Sequence, residues 1–148
     1  MPVPNSAVGV STPPVTFVVE RGRLGLFAKA TGQRDPLYVD AEVARAQGHP
    51  DVPVPPTFLF GVELERPDPF AWITDLGVDM RAVLHGTQGF QYFAQVYAGD
   101  TLIASSTITD VYSKKAGALE FIERRTHITR AGEPVAELTQ TVVVRNAA

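Results

Sequence analysis

The C-terminal half of the chain consists mainly of four long runs that are rich in Thr, Val, Ile, Phe and Tyr. These residue types favour strands, and the short breaks between the runs carry the Gly, Asp or Lys residues that are typical of tight turns. The pattern therefore predicts four consecutive antiparallel strands joined by hairpins. The runs cover residues 86–98, 101–113, 118–130 and 134–145.

The last run indicates which face of this sheet is buried. Successive side chains of a strand point to opposite faces, so alternate residues share a face. One face is mainly aliphatic and is the predicted core face, whereas the other mixes apolar and polar side chains. The aliphatic residues of the predicted core face are Ala136, Leu138, Val142 and Val144.

The N-terminal half begins with a short strand and a helix. Residues 15–19 form a β-branched and aromatic run, which predicts a strand. Residues 20–31 place Leu24, Phe27 and Ala28 on one helical face. Gly32 suits the position directly after a helix, where the backbone often turns left-handed.

Two further helices are predicted before the long strands. Asp40 suits the N-cap of a short second helix, because its carboxylate can accept hydrogen bonds from the free amides of the first turn. Pro55 and Pro56 suit the first turn of a third helix that reaches about Leu64, since early helical positions need no backbone donor. Residues 65–84 have no clean period, so no element is predicted there.

Only these helices can cover the apolar face of the sheet. The predicted fold class is therefore α+β, with a hot-dog arrangement in which a long central helix is wrapped by a curved antiparallel sheet. Residues 1–148 are expected to form a single domain, with the proline-rich residues 1–13 as an irregular N-terminal arm. A long edge strand invites pairing with another chain. We therefore expect a dimer, either with itself or with a related subunit.

Composition and charge exclude several classes of function. The 148 residues are 45% apolar and 20% charged, with a net charge of −3 and no cysteine. Scattered Lys and Arg residues argue against nucleic-acid binding, and no apolar run approaches the ~20 residues of a transmembrane helix. The N-terminus lacks the features of a signal peptide. We expect a cytoplasmic protein with no cofactor and, because no two histidines have helical metal-pair spacing, no metal site.

Three short motifs carry the functional signal. They are residues 33–38 (QRDPLY) between two predicted helices, residues 55–58 (PPTF) at the predicted start of the third helix, and residues 84–86 (LHG). In this order the motifs resemble the MaoC-like (R)-specific hydratase/dehydratase family, and above all its FAS1-like dehydratase N-terminal branch. That branch includes non-catalytic subunits of heterodimeric hydroxyacyl-ACP dehydratases.

The resemblance implies that the chain acts on an acyl thioester of CoA or acyl carrier protein by adding or removing water. This chemistry needs a base, an acid and hydrogen-bond donors for the thioester oxygen. The family's Asp and His fall at Gln33 and Tyr38 of this chain, and Asp35 takes the place of an Asn. Gln33 does not titrate, and the ordinary pKa of tyrosine, about 10, is far above the value of about 6.5 for histidine.

The resemblance also implies where the substrate lies. The thioester oxygen is expected at the start of the central helix, where backbone amides lack internal partners and the helix dipole is positive. The residues implied to bind substrate are Pro55, Pro56, Thr57, Phe58, His85 and Gly86.

Two interpretations of the 33–38 loop are open. In the first, Asp35 acts as the base and Tyr38 as the proton donor of a substitute pair. In the second, the chain supplies only walls of an acyl tunnel beside a catalytic partner subunit. We favour the second interpretation, because a substitute pair must also reproduce the geometry of the lost one.

Structural roles compete with these functional ones. Asp35 can fix its own turn, and Tyr38 can be a core aromatic with a satisfied hydroxyl. Among the histidines, His49 is expected in a solvated loop and His127 beside a cross-strand partner. A structural role for His85, such as donation to a loop carbonyl, is favoured over a catalytic one.

Two other functions are compatible with the predicted fold. A hot-dog acyl-CoA thioesterase usually places a carboxylate on or near the central helix, and this helix offers only Glu63, near its far end. A non-enzymatic module that binds acyl thioesters would need neither acid nor base. Release of free CoA would favour the first alternative, and saturable binding without chemistry would favour the second.

Overall fold

The computed structural model describes residues 2–146. This part of the chain forms a five-stranded antiparallel sheet of order β1-β3-β4-β5-β2. The strands are β1 (Val15–Val18), β2 (Val83–Tyr92), β3 (Thr101–Lys114), β4 (Leu119–Arg130) and β5 (Glu133–Arg145). The α-helices are α1 (Arg21–Thr31), α2 (Ala41–Ala46) and α3 (Ala71–Thr74), with 3₁₀ segments at Asn5–Ala7, Pro36–Tyr38, Phe58–Glu65 and Met80–Ala82. The predicted α+β hot-dog class is confirmed.

The strand order corrects one predicted connection. β2 pairs with β5 and not with β3, so Gly99 and Asp100 do not form a hairpin turn between consecutive strands. β2 ends at Tyr92, and the chain then leaves the sheet edge, where the carbonyl of Val96 accepts a hydrogen bond from the amide of Val54 at 2.9 Å. The other two predicted hairpins, β3–β4 and β4–β5, are confirmed.

The first two helices have the ends that their capping residues predict. α1 buries Leu24 and Ala28 and ends at Gly32, whose φ of 73° is in the left-handed region that glycine adopts without a Cβ clash. Asp40 caps α2, because its Oδ1 accepts a hydrogen bond from the amide of Glu42 at 2.8 Å. Between residues 2 and 146, no helix is long and apolar enough to cross a membrane.

The central helix, which we define as the 3₁₀ helix Phe58–Glu65, is shorter than the long helix that the sequence analysis expected. Thr57 precedes it with a left-handed φ of 72°. Arg66 follows it with an extended backbone (φ −66°, ψ 149°), because the next residue is proline and disfavours helical geometry before it. The helix buries three side chains against the sheet: Phe58, Leu59 and Val62.

Two hydrophobic clusters form the core. The larger cluster joins α1, the central helix and the sheet, and the smaller one joins α3, the sheet and the N-terminal arm. The arm was predicted to be irregular, but Asn5–Ala7 form a 3₁₀ turn, and Val3 and Ala7 are buried in the smaller cluster. Met1 of the predicted arm lies outside the described residues.

Candidate functional site

The 33–38 loop is held by its own side chains. Asp35 precedes the 3₁₀ turn Pro36–Tyr38, and its Oδ1 accepts a hydrogen bond from the amide of Leu37 at 2.9 Å. Gln33 Oε1 accepts a hydrogen bond from the amide of Asp35 at 3.1 Å. The structural role predicted for Asp35 is therefore present, and the Gln33 side chain supports the same turn.

Tyr38 donates its amide to the carbonyl of Asp35 at 3.1 Å and also lines the wall of a cavity of about 360 Å³. We call this space the tyrosine cavity. The structure brings Tyr38 together with Pro55 and Pro56 of the second motif, whereas Gln33 and Asp35 do not line this wall. The remaining wall residues are Val54, Leu59, Tyr92, Phe93, Ala94, Gln95 and Val96.

Tyr92 is a site residue that the sequence analysis missed. It is the last residue of β2 and lines the tyrosine cavity. Its hydroxyl oxygen accepts a hydrogen bond from the amide of Thr57 at 3.1 Å. A phenol that accepts through its oxygen keeps its own hydrogen for donation. The only sequence signal was the aromatic spacing of Phe90 and Tyr92 on one strand face, which predicts a strand rather than a site.

The start of the central helix differs from the expected row of free amides. The amide of Thr57 donates to Tyr92, and the amide of Phe58 donates to the carbonyl of Pro55 at 3.2 Å. Phe58 is only 9% exposed and packs edge-on against Phe27, with ring centroids 5.4 Å apart. Phe58 therefore belongs to the core, and Tyr92 offers the more accessible donor.

His85 and Gly86 lie on a different part of β2 from the tyrosine cavity. His85 lines a second cavity of about 190 Å³, stacks on Phe60 and has its Nε2 3.0 Å from the carbonyl oxygen of Thr87. This contact matches the structural role favoured for His85. At Gly86, a Cβ would lie 2.9 Å from the carbonyl oxygen of Thr141, so close strand pairing explains the glycine.

The other two histidines have side-chain partners. His49 was predicted to be solvated, but it is half-buried, and its Nδ1 lies 3.1 Å from the hydroxyl oxygen of Tyr97. His127 lies opposite Glu137 on β5, with Nδ1 3.2 Å from Oε2, which confirms the predicted cross-strand partner.

A partly buried ion cluster between the central helix and the sheet was also missed. Glu63 accepts a hydrogen bond from Arg66 at 2.8 Å through Oε1 and from Arg124 at 3.2 Å through Oε2. The Arg124 guanidinium lies 3.8 Å from the ring centroid of Trp72. Burial lowers the pKa of Arg124 to about 10, and Glu63 opposes this shift only in part. Because both Glu63 oxygens contact arginines, this residue is not a free carboxylate of the kind a thioesterase needs.

The sheet that packs over the central helix is a hot-dog arrangement, and similar solved structures show that the class is that of the MaoC-like hydratases and dehydratases. Solved structures support this class. A chain of the ChsH1-ChsH2 complex from Mycobacterium tuberculosis has a TM-score of 0.76 and 26% identity, covering 97% of this chain and 88% of that chain. A chain of the C-terminally truncated HadBC (3R-hydroxyacyl-ACP dehydratase) complex from Mycobacterium tuberculosis has a TM-score of 0.76 and 25% identity, covering 92% and 96%.

Sequence comparison then identifies the family. Residues 6–138 match the family model of the FAS1-like dehydratase domain region, and the chain belongs to this family. The UPF0336 protein SCO4636 of Streptomyces coelicolor is 38% identical over 148 residues, covering 99% of this chain and 98% of the relative. The resemblance inferred from the three motifs is thereby confirmed.

Proposed function

We propose that this chain is the substrate-binding subunit of a 3-hydroxyacyl-thioester dehydratase or enoyl-thioester hydratase and that a related hot-dog subunit supplies the catalytic Asp and His. The observation that carries the proposal is the composition of the tyrosine cavity. Among the described residues on its wall there is no carboxylate and no histidine. Its hydroxyls belong to Tyr38 and Tyr92. The general bases of enzymes are most often histidines, followed by carboxylates.

The loop contacts support the partner-subunit interpretation over a substitute acid–base pair. Asp35 is exposed, and its Oδ1 accepts a hydrogen bond from the backbone inside its own turn. Tyr38 is on the cavity wall and Asp35 is not. A base must reach the proton that it removes, directly or through one water molecule. The positions of Asp35 and Tyr38 therefore favour the interpretation in which this chain shapes the site and a partner subunit supplies the acid and the base.

The proposed partner lies along β2. This strand is an edge of the sheet with ten residues, whereas β1 at the opposite edge has four. Leu84 and Tyr92 of β2 are 51% and 49% exposed. Long edge strands with exposed apolar side chains favour pairing with another chain. Both similar solved structures reported above are complexes, which supports a related subunit as the partner.

The proposed substrate is an acyl-CoA or acyl-carrier-protein thioester. Tyr92 accepts a hydrogen bond from Thr57, so its own O–H is available for the thioester carbonyl. Tyr38 offers a second hydroxyl in the same cavity. Donors that are positioned before the reaction stabilise negative charge as it develops on the thioester oxygen.

Hydration of crotonyl-CoA tests the division of labour. We expect negligible turnover by the purified chain or by a related subunit with an intact Asp-x-Asn-Pro-x-His motif, and robust turnover by the mixture. Turnover by the chain alone that is lost in Asp35→Asn or Tyr38→Phe would support the substitute pair instead. Turnover by the chain alone that survives both substitutions would remove the proposed site.

Tyr92→Phe tests the proposed donor in the active mixture. Loss of one hydrogen bond that strengthens in the transition state should lower kcat/KM by about tenfold. The matched control is Tyr112→Phe, because the Tyr112 hydroxyl contacts Glu123 rather than the cavity. Equal kinetics for both variants would exclude Tyr92 from the site.

A further inference from the structure

The second cavity has an apolar rim and a buried floor. Its rim includes Phe60, Leu64 and Leu84, which are 39%, 46% and 51% exposed. Its floor includes Leu138 and Val142 of β5, which are 4% and 5% exposed. The cavity therefore opens beside β2, at the edge where the partner is proposed, and extends between the central helix and the sheet.

A row of long polar side chains crosses this face of the sheet. Gln88 of β2 is opposite Gln140 of β5, and Gln140 is opposite Arg124 of β4. All three residues line the second cavity. Adjacent strands are about 4.8 Å apart, so the row extends for about 10 Å across three strands. The neighbours of Gln140 on the same face of β5 are the aliphatic Leu138 and Val142.

The hydrogen-bonding capacity of this row is not fully used. Arg124 is 7% exposed and has five N–H donors. Its side chain donates two hydrogen bonds to other side chains, to Glu63 at 3.2 Å and to Gln140 at 3.4 Å. Gln88 Oε1, which can only accept a hydrogen bond, is buried without a partner among the described residues, so a ligand would have to donate a hydrogen to it. Amide groups buried without partners cost free energy, and a hydrocarbon ligand would add to this cost by displacing water.

The charges near Arg124 favour a ligand atom with lone pairs. Glu63 divides its two oxygens between Arg66 and Arg124, so the three side chains carry one excess positive charge. Trp72 covers the Arg124 guanidinium, which restricts its contact with bulk water. A cation in such surroundings gains more from a hydrogen-bond acceptor than an exposed cation does.

We propose that the second cavity selects acyl chains that carry an oxygen function in their distal part, and that Arg124, with Gln140 and Gln88, recognises this oxygen. The inference deepens the proposed function and rests on it, because it concerns the acyl chain of the same thioester substrate. A terminal hydroxyl and a terminal carboxylate share the acceptor oxygen that Arg124 would bind, but only the hydroxyl has a hydrogen to donate to Gln88 Oε1.

Equilibrium binding to matched acyl-CoA ligands tests the inference. The probes are decanoyl-CoA, 10-hydroxydecanoyl-CoA and the mono-CoA thioester of decanedioic acid, with six-carbon and fourteen-carbon sets alongside. Trp72 is the single tryptophan of the chain, so its fluorescence reports on the cavity in the isolated chain, and calorimetry reports on the mixture with the partner. We expect oxygenated ligands to bind about tenfold more tightly than the alkyl ligand of the same length.

Three variants separate recognition from structural support. Arg124→Met should remove the preference for oxygenated ligands, and Gln140→Leu, which retains the Glu63–Arg124 pair, should reduce it. Arg125→Met is the matched control, because Arg125 lies on the opposite face of β4 and contacts Glu137. If Arg124→Met fails to fold, the ligand preference of Gln140→Leu decides whether the polar row recognises the oxygen.

The outcomes distinguish this inference from the proposed function. Equal binding of alkyl and oxygenated ligands by the unmodified chain, or a preference unchanged in Arg124→Met and Gln140→Leu, would overturn the inference and leave a purely structural ion pair. The proposed function would survive that result. Absence of binding for every acyl-CoA, with and without the partner, would overturn both.

Discussion

At the scale of single residues, the most informative feature is the backbone of Thr57. Its φ of 72° is unusual for a β-branched residue, because the left-handed region crowds the Cβ substituents. The same residue donates its amide to Tyr92 at the wall of the tyrosine cavity. Strained residues of this kind are concentrated at functional sites, where the surrounding structure determines the backbone.

Thr57→Gly should therefore raise the stability of the chain. Relief of the left-handed strain is worth ~1–3 kcal/mol, and the additional freedom of glycine in the unfolded chain offsets ~0.5–1 kcal/mol. The expected net gain is about 1 kcal/mol in the free energy of unfolding, measured by urea denaturation. Thr57→Val keeps the branched Cβ and should bring no such gain. Equal stabilities of the two variants would show that Thr57 is not strained.

At the scale of elements, β2 combines an edge position with an irregular register. The pairing with β5 shifts between His85 and Thr87, so Gly86 lies at the bulge. A Cβ on Gly86 would meet a backbone carbonyl, whereas a Cβ on Gly89 would meet the side-chain hydroxyl of Thr139. A hydroxyl can rotate or be removed by substitution, but the carbonyl moves only with the strand.

The two glycines should consequently differ in their tolerance of alanine. We expect Gly86→Ala to lower the free energy of unfolding by ~1–3 kcal/mol, the usual cost of overpacking, and Gly89→Ala to cost less. Thr139→Ala should reduce the cost of Gly89→Ala and leave the cost of Gly86→Ala unchanged. Urea denaturation of the single and double variants measures both couplings. An equal effect of Thr139→Ala on the costs of Gly86→Ala and Gly89→Ala would contradict the proposed difference between the two glycines.

At the scale of the whole molecule, Asp51 links segments that are distant in sequence. It accepts hydrogen bonds from Arg21 at the start of α1, at 2.8 Å through Oδ1, and from Arg45 of α2 at 3.4 Å. The hydrogen bond from Arg21 is the main cause that places the pKa of Asp51 well below its ordinary value, and burial opposes it. The folded state therefore favours the carboxylate more strongly than the unfolded state does.

This depressed pKa predicts a specific dependence of stability on pH. The stabilisation is fully present above the unfolded pKa of about 3.9 and is lost as the pH falls below it towards the lower folded value. Asp51→Asn should lower stability at pH 7, and in urea denaturation the difference between the two proteins should begin to shrink below about pH 4 and continue to shrink as the pH falls towards the lower folded pKa. In an Arg21→Met background the substitution should cost less. A difference that is constant with pH would show that the charge is not the cause.

Much of the fold could be predicted because its signals are local. Gly32 after α1 and Asp40 before α2 act through backbone groups within a few residues, so their roles are readable from the sequence. The long strands follow in the same way from their residue types. The pairing of β2 with β5 could not be predicted, because the alternation of a strand does not identify its neighbour.

The candidate site likewise contains residues that the sequence could predict and residues that it could not. Sequence motifs identified the Gln33 to Tyr38 loop, since the turn is formed by residues in direct succession. Tyr92 and Arg124 could not be predicted as site residues, because their partners, Thr57 and Glu63, are distant in sequence and lie at or on the central helix. Neither pair has a fixed spacing that a motif could record.

The sequence by itself determined the family, the strands and the capped helices, because each depends on neighbouring residues or on a succession of motifs. Only the tertiary structure decided that Tyr38 faces a cavity while Asp35 supports a turn, and that β2 is an edge strand. Those features depend on which distant surfaces pack together, and packing is a property of the folded chain as a whole.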